Sequence, residues 1–246
     1  IDEYQDTNAT QQAYYDRAGE RKIAVGDTFQ AIYGFRGADT ESMERFQAAH
    51  DPLNLPLSVC YRCASSVIAL AQTIVPQIQA RDNAPLGSVS DLAKSQFSSK
   101  VALGDMVLCR LNAPLVRPCF DLIRRGIKAV IRGRDIGSGL ISLWRKAEKK
   151  SGATSFNNVL VWLSTYVNNE IGKLMLANKE NAAKMLEDQY ETILALSDDC
   201  HTGNDLENRI NTVFSDNIQG VVFSSCHKAK GLESRNVFIL EPNLLF

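Results

Sequence analysis

The sequence predicts an α/β fold in which a parallel sheet is interrupted by a run of helices. Two patterns predict it: short apolar runs rich in β-branched residues alternate with amphipathic helical stretches, and the strand signal lapses near Gly139 and returns at Val221. The runs expected as buried strands are Lys22 to Val25, Leu55 to Val59, Asp105 to Cys109, Lys128 to Ile131, Val221 to Ser225 and Asn236 to Leu240. Between them, Ser65 to Gln79 places Val67, Ile68, Ala71 and Ile74 on one helical face. Leu115 to Arg125 does the same with Val116, Phe120 and Ile123. After Gly139, helical spacing joins Phe156, Leu160, Leu163, Val167, Ile171 and Leu174. It continues through Met185, Leu186, Ile193 and Leu194, then Leu206, Ile210 and Val213, so a helical insertion is expected over about 140–218.

With 246 residues, 45% of them hydrophobic, the chain can bury a substantial core. Its 27 Lys and Arg against 28 Asp and Glu leave a net charge of -1, which excludes a global basic attraction to nucleic acid. Any such contact must be local, and basic residues do concentrate between Arg110 and Lys150, as a nucleic-acid patch or as a solvated helix face. From Glu170 to Asp216 the insertion is acidic, a poor grip for a phosphate backbone and a better candidate for contacting a protein partner or simply for being solvated.

Of the six cysteines only Cys60 and Cys63 are close together, in Cys-Tyr-Arg-Cys. No second pair follows, and His50, His201 and His227 are scattered, so a zinc site is not expected. No apolar run of about 20 residues and no secretory signal occurs, so no membrane contact is expected and a reducing cytoplasm is the expected setting. The chain opens on Ile1 rather than methionine, as a fragment or trimmed chain would.

The chemistry concentrates in four segments. Asp2-Glu3 is a carboxylate pair suited to holding Mg²⁺ through one group and activating a water with the other, as phosphoryl transfer requires. Val25 to Ala38 runs from a strand into a glycine-bearing loop with Gln30, Tyr33, Phe35 and Arg36, types that suit phosphate sensing beside a base-stacking platform. Tyr61-Arg62 sets a ring beside a guanidinium at a strand end. His227 to Glu233 follows another strand end, and such loops are where parallel sheets bind ligands.

In order and character these segments resemble motifs II, III, IV and V of the UvrD/Rep class of superfamily 1 helicases: Asp-Glu-x-Gln-Asp, Val-Gly-Asp-x-x-Gln-x-Ile-Tyr-x-x-Arg-Gly-Ala, Tyr-Arg and His-x-x-Lys-Gly-Leu-Glu. The resemblance implies a RecA-like P-loop NTPase fold. Residues 1–50 would be the C-terminal part of a first RecA-like domain, and residues 51–246 a second one carrying the insertion. It implies ATP and Mg²⁺ as cofactors and single-stranded DNA as partner, with translocation from 3′ to 5′ as two domains close and reopen around ATP. Asp2 would coordinate Mg²⁺, Glu3 would be the catalytic base, Gln30 the γ-phosphate sensor and Arg62 an arginine finger. Tyr61 would stack on adenine, and Glu233 with Gly231 in the same loop would meet the nucleotide. Tyr33 and Phe35 would stack on DNA bases, and Arg36, His227 and Lys230 would couple nucleotide to strand.

Three departures stand out. Cys60 replaces a polar residue before Tyr-Arg, Phe35 replaces a common tryptophan, and Ser234 replaces an aromatic after Gly-Leu-Glu, which is expected to weaken packing behind that loop. No Gly-x-x-x-x-Gly-Lys-Ser/Thr and no motif VI arginine occur in the 246 residues, so this chain by itself is expected not to hydrolyse ATP. The competing expectation is a non-catalytic DNA- or protein-binding module of helicase ancestry. Membership of a combined helicase and nuclease is a weaker third.

Overall fold

A computed structural model describes residues 1–32, 34, 41–215 and 220–244. The chain forms two compact units, Ile1–Ala93 and Lys94–Phe246. Residues 51–93 thus belong structurally to the first unit.

The first unit opens with a short parallel pairing. The Ile1 ammonium donates to the Ile23 carbonyl at 2.6 Å and the Val25 N–H to the Ile1 carbonyl at 2.8 Å. The segment expected as a strand at Lys22 to Val25 therefore has a backbone partner, but the pairing breaks at Glu3 before a regular strand can form. Helix α1 (Ala9–Ala18) starts from a capping box in which Asn8 and Gln11 each bond the other's backbone N–H at 3.0 Å. Helix α2 (Ser42–His50) buries Phe46, whose ring meets that of buried Tyr4 edge-on at 5.1 Å.

Next come β1 (Val59–Cys60), α3 (Ser65–Ala71) and β2 (Gln79–Ala80), a small βαβ unit with β1 and β2 parallel. The strand expected from Leu55 shrinks to two residues because Pro56 has no N–H to give a ladder, and Leu53, Leu55 and Leu57 remain exposed. The helix expected to reach Gln79 stops at Ala71, since Pro76 disfavours helical backbone before it.

The second unit is a four-stranded, all-parallel sheet ordered β4-β5-β3-β6, from β3 (Met106–Cys109), β4 (Ala129–Ile131), β5 (Val221–Ser225) and β6 (Val237–Ile239). All four lie within the runs expected from sequence. Every residue of β5 is buried, as befits an inner strand of a sheet covered on both faces. Helix α4 (Lys94–Lys100) sets Phe97 edge-on against Phe223 of β5 and Phe238 of β6.

Helix α5 (Ala113–Arg124) links β3 to β4 and buries Leu115, Val116, Cys119 and Leu122. The insertion is four helices: α6 (Arg134–Ser151), α7 (Phe156–Leu176), α8 (Glu180–Ser197) and α9 (Gly203–Val213). Their apolar faces, with Trp144, Leu163, Val167, Ile193 and Ile210 fully buried, share one core with the sheet. Burying side chains of this size contributes roughly 1.5–3 kcal/mol each.

The acidic insertion is held to the sheet's own helix by polar contacts. Asp188 of α8 accepts from the N–H groups of Asn112 and Ala113 at 3.0 and 3.1 Å and from Asn112 Nδ2 at 2.8 Å, so it caps α5, where Asn112 supplies no side-chain cap of its own. Replacing Asp188 with Ala is expected to cost about 1–3 kcal/mol in denaturant unfolding. The same change at exposed Glu187 is expected to stay within about 0.5 kcal/mol.

Candidate functional site

The residues singled out from sequence fall in both units, and each group is described within its own. In the first unit Glu3 adopts a left-handed backbone (φ 49°, ψ 43°), which L-residues other than glycine occupy at a cost of roughly 1–2 kcal/mol. Its conformation breaks the parallel pairing. Regular register would draw the next hydrogen bond to the Val25 carbonyl from residue 3, but Tyr4 donates it instead, at 3.0 Å. The Glu3 carbonyl would next accept from Asp27, yet that N–H goes to the side-chain oxygen of Gln5 at 3.0 Å. Gln5 is 1% exposed and donates its Nε2 to the Glu3 carboxylate at 2.5 Å.

The network continues through Asp27. One carboxylate oxygen caps the following 3-10 turn, Thr28–Gln30, by accepting the Phe29 N–H at 3.0 Å, and the other accepts Gln30 Nε2 at 2.8 Å. Glu3, Gln5, Asp27 and Gln30 are thus consecutive members of one hydrogen-bonded chain, with Glu3 and Gln30 on the surface and Gln5 buried. Gly26 makes this possible. A Cβ there would lie 2.4 Å from Gln5 Oε1 and 3.3 Å from the Gln5 nitrogen.

Asp2 is exposed, and its Oδ1 accepts the Glu3 N–H at 2.9 Å, which fixes the direction of the carboxylate. Among the described residues no three acidic, His or Cys side chains cluster as a metal cage. Asp2 still fits Mg²⁺, which takes one or two carboxylates together with substrate phosphates and water.

Tyr61 and Arg62 follow β1. The Tyr61 ring is 76% exposed, available for stacking rather than committed to the core. Tyr33, Phe35 and Arg36 lie outside the described residues.

In the second unit, His227 is the second residue of the short helix α10 (Cys226–Ala229) that follows β5. Arg110, just past the end of β3, donates to His227 Nδ1 at 3.2 Å, which leaves the ring proton on Nε2. Lys228 bonds Asp135 of α6 at 2.6 Å and holds that carboxyl below its ordinary range, first through the hydrogen bond and then, against partial burial, through its charge. Lys230 and Glu233 flank Gly231, whose φ of 81° turns the chain with open space around it. Ser234, where an aromatic would pack, holds this loop by hydrogen bonds: its hydroxyl lies 2.9 Å from both the Gly104 and Asn236 carbonyls.

Three arginines of the basic stretch are in internal ion pairs. Arg117 binds Asp198 at 3.1 Å, Arg124 binds Asp199 at 3.0 Å, and Arg145 grips Glu207 through two bonds of 2.7 and 2.6 Å. Arg124 and Arg209 also lie 4.6 and 4.8 Å from the centre of the Phe120 ring. Arg117, Arg124 and Arg145 already have carboxylate partners, so the solvated-face reading fits them better than a phosphate-binding patch.

Sequence reasoning assigned no role to Gln5 or Asp27, and placed Arg110 only in the basic stretch, with no link to His227. The signal for the first two was present, since both belong to the quoted motifs. Arg110 directly follows an apolar run, where strand-end ligands are expected.

Comparison with known proteins places the likeness in the N-terminal region. A family model described as UvrD/REP helicase N-terminal domain matches residues 1–51. An ATP-dependent helicase/nuclease subunit from Carboxydothermus hydrogenoformans is 34% identical over 90 residues, 35% of this chain and 8% of that protein. The DNA helicase II proteins of Salmonella typhimurium and Escherichia coli are each 35% identical over 79 residues, 30% of this chain and 11% of theirs. The likeness thus spans about a tenth of these relatives. No helix among the described residues is long and apolar enough to cross a membrane.

Two outcomes check this geometry. Gly26→Ala is expected to displace Gln5 and to cost about 2 kcal/mol, read as lost amide-exchange protection at Tyr4 and Asp27. Lys228→Met is expected to let the Asp135 carboxyl rise toward the ordinary range near about 3.9, read by NMR titration. Because the folded value is depressed, the pair's contribution is present above the unfolded value and lost as pH falls through the folded one. The two proteins should therefore differ near neutrality and converge in acid.

Proposed function

We propose that this chain is part of an ATP-dependent DNA helicase or translocase that couples ATP hydrolysis to 3′ to 5′ movement on single-stranded DNA in the cytoplasm. Residues 1–50 are read as the end of one RecA-like domain and residues 51–246 as most of a second, with the helical insertion over about 140–218. The observation that carries this reading is the hydrogen-bonded chain from Glu3 through Gln5 and Asp27 to Gln30. It links the carboxylate read as the base to the amide read as the phosphate sensor, within the 1–51 segment that the helicase family model matches.

In this reading Glu3 accepts the proton of the attacking water, and Gln30 bonds the terminal phosphate. Asp27 and Gln5 hold both side chains in place, so a shift at one end of the chain is felt at the other. Asp2 would hold Mg²⁺, which neutralises phosphate charge when bound. Arg62 supplies positive charge to the transferring phosphoryl group, and Tyr61 stacks on adenine. Glu233 and Gly231 contribute to nucleotide binding, while His227 and Lys230, together with Tyr33, Phe35 and Arg36, serve single-stranded DNA. With Nδ1 accepting from Arg110, His227 presents its Nε2–H as a donor suited to a phosphate oxygen.

The insertion is assigned to a protein partner. Its apolar Val161, Met175, Leu176 and Met185 are exposed, and Leu176 is 89% so.

The test is ATP hydrolysis, with and without single-stranded DNA, on a longer chain that supplies the phosphate-binding loop and motif VI. DNA-stimulated turnover is expected. Glu3→Gln should lower kcat by at least about a hundredfold while nucleotide binding persists, and Asp27→Ala should lower it about tenfold by loosening Gln30. Full activity in Glu3→Gln would sink the assignment.

A further inference from the structure

Cys60 and Cys63 enclose Tyr61 and Arg62, and the function proposed above gives the two sulfurs no task. Cys60 is the last residue of β1, and its backbone is fixed by the parallel pairing with β2: its carbonyl accepts the Arg81 N–H at 3.3 Å. The chain bends over Tyr61 to Cys63 immediately afterwards, which sets Cys63 back beside Cys60 at the strand end. None of the six cysteine sulfurs is in a disulfide, and both members of this pair are half-buried.

The remaining four cysteines differ. Burial raises the thiols of Cys109, Cys200 and Cys226 and pushes Cys119 up to about 12. At Cys60 burial also acts upward, but the hydrogen bonds from Cys63 and Arg62 and the Arg62 charge outweigh it, so this thiol is lowered.

We propose that Cys60 and Cys63 form a thiol–disulfide exchange site that takes a low-molecular-weight disulfide as co-substrate and, when oxidised, locks the turn carrying Tyr61 and Arg62. The Cys60 thiolate attacks one sulfur of the small disulfide, forming a mixed disulfide and releasing one small thiolate. Cys63 then loses its proton to solvent and attacks the Cys60 sulfur. The Cys60–Cys63 bond forms, and the second small thiolate leaves. Two protein thiols are oxidised and one small disulfide is reduced to two thiols. The exchange chemistry stands on the sulfurs alone, whereas its effect on turnover rests on the roles proposed for Tyr61 and Arg62. Oxidation would close a ring around both residues, so the oxidised form cannot follow the nucleotide through its cycle.

The chain is incubated with oxidised glutathione, alkylated, and mapped by mass spectrometry. The expected result is a Cys60–Cys63 disulfide with the other four cysteines alkylated. Cys63→Ser should trap glutathione on Cys60, whereas Cys60→Ser should leave Cys63 without adduct. Reduced Cys60 should react with iodoacetamide at neutral pH about tenfold faster than Cys226. A pair that stays reduced, or that reacts no faster than Cys226, overturns the proposal. In the longer ATP-hydrolysing chain, oxidation should lower kcat at least about fivefold, reversibly with dithiothreitol, and should have no effect on the Cys60→Ser/Cys63→Ser double variant. A mapped disulfide that leaves turnover unchanged overturns the control. A longer chain with no turnover in either redox state would remove the helicase reading while the disulfide map stands.

Discussion

The first unit depends on a backbone ladder that is handed over to a side chain. Pairing begins regularly at Ile1 and ends at Glu3, whose left-handed conformation withdraws both the N–H and the carbonyl that the next step needs. A buried amide is suited to repair this, because glutamine carries a donor and an acceptor on one rigid plane. Gln5 spends its oxygen on the Asp27 N–H and its nitrogen on the Glu3 carboxylate, so the repair of the ladder and the aiming of Glu3 are one act. A carboxylate would repel Glu3, and an apolar side chain would leave the Asp27 N–H without this acceptor. Gly26 is the other half of the constraint, since any side chain there would meet the Gln5 amide.

In the second unit the organising constraint is burial of an all-parallel sheet. Strand β5 has no exposed residue, so both faces must be covered. The insertion is therefore part of the domain's core and not an appendage: Trp144, Leu163, Ile193 and Ile210 belong to the same cluster as Phe223 and Val107. Its acidity serves this attachment. Asp188 satisfies the start of α5, and Asp198, Asp199 and Glu207 meet arginines of α5 and α6. Exposed pairs of this kind contribute only about 0–1 kcal/mol each, so their larger consequence is to cancel charge that would otherwise draw a phosphate backbone.

What was legible in the sequence follows from how local each signal is. Strands β3 to β6 were readable because parallel, doubly buried strands appear as uninterrupted apolar runs, and four of the expected runs contain them. The shorter elements of the first unit were misjudged where one proline overrode an apolar pattern, at Pro56 and at Pro76. Motif order singles out Asp2, Glu3, Gln30 and Arg62 as candidates. The bonds that join Glu3 to Gln30 could not, because Gln5 and Asp27 are 22 positions apart and only the folded backbone brings them together. Arg110 and His227 are 117 positions apart, and the reason is the same. Ser234 is a related case: its hydroxyl holds the loop by hydrogen bonds to carbonyls that sequence does not place.

The cysteines show how one residue type divides by environment. Cys109 and Cys119 sit in the core of the second unit, where a thiolate would be unsolvated, so they behave as small apolar side chains. Cys60 stands at a strand end followed by two backbone N–H donors and a guanidinium, an arrangement that favours the charged sulfur despite partial burial. Strand-end turns in parallel sheets point backbone donors outward, which is why they bind anions. A sulfur placed there meets the same donors, which lowers the Cys60 thiol where burial alone would raise it.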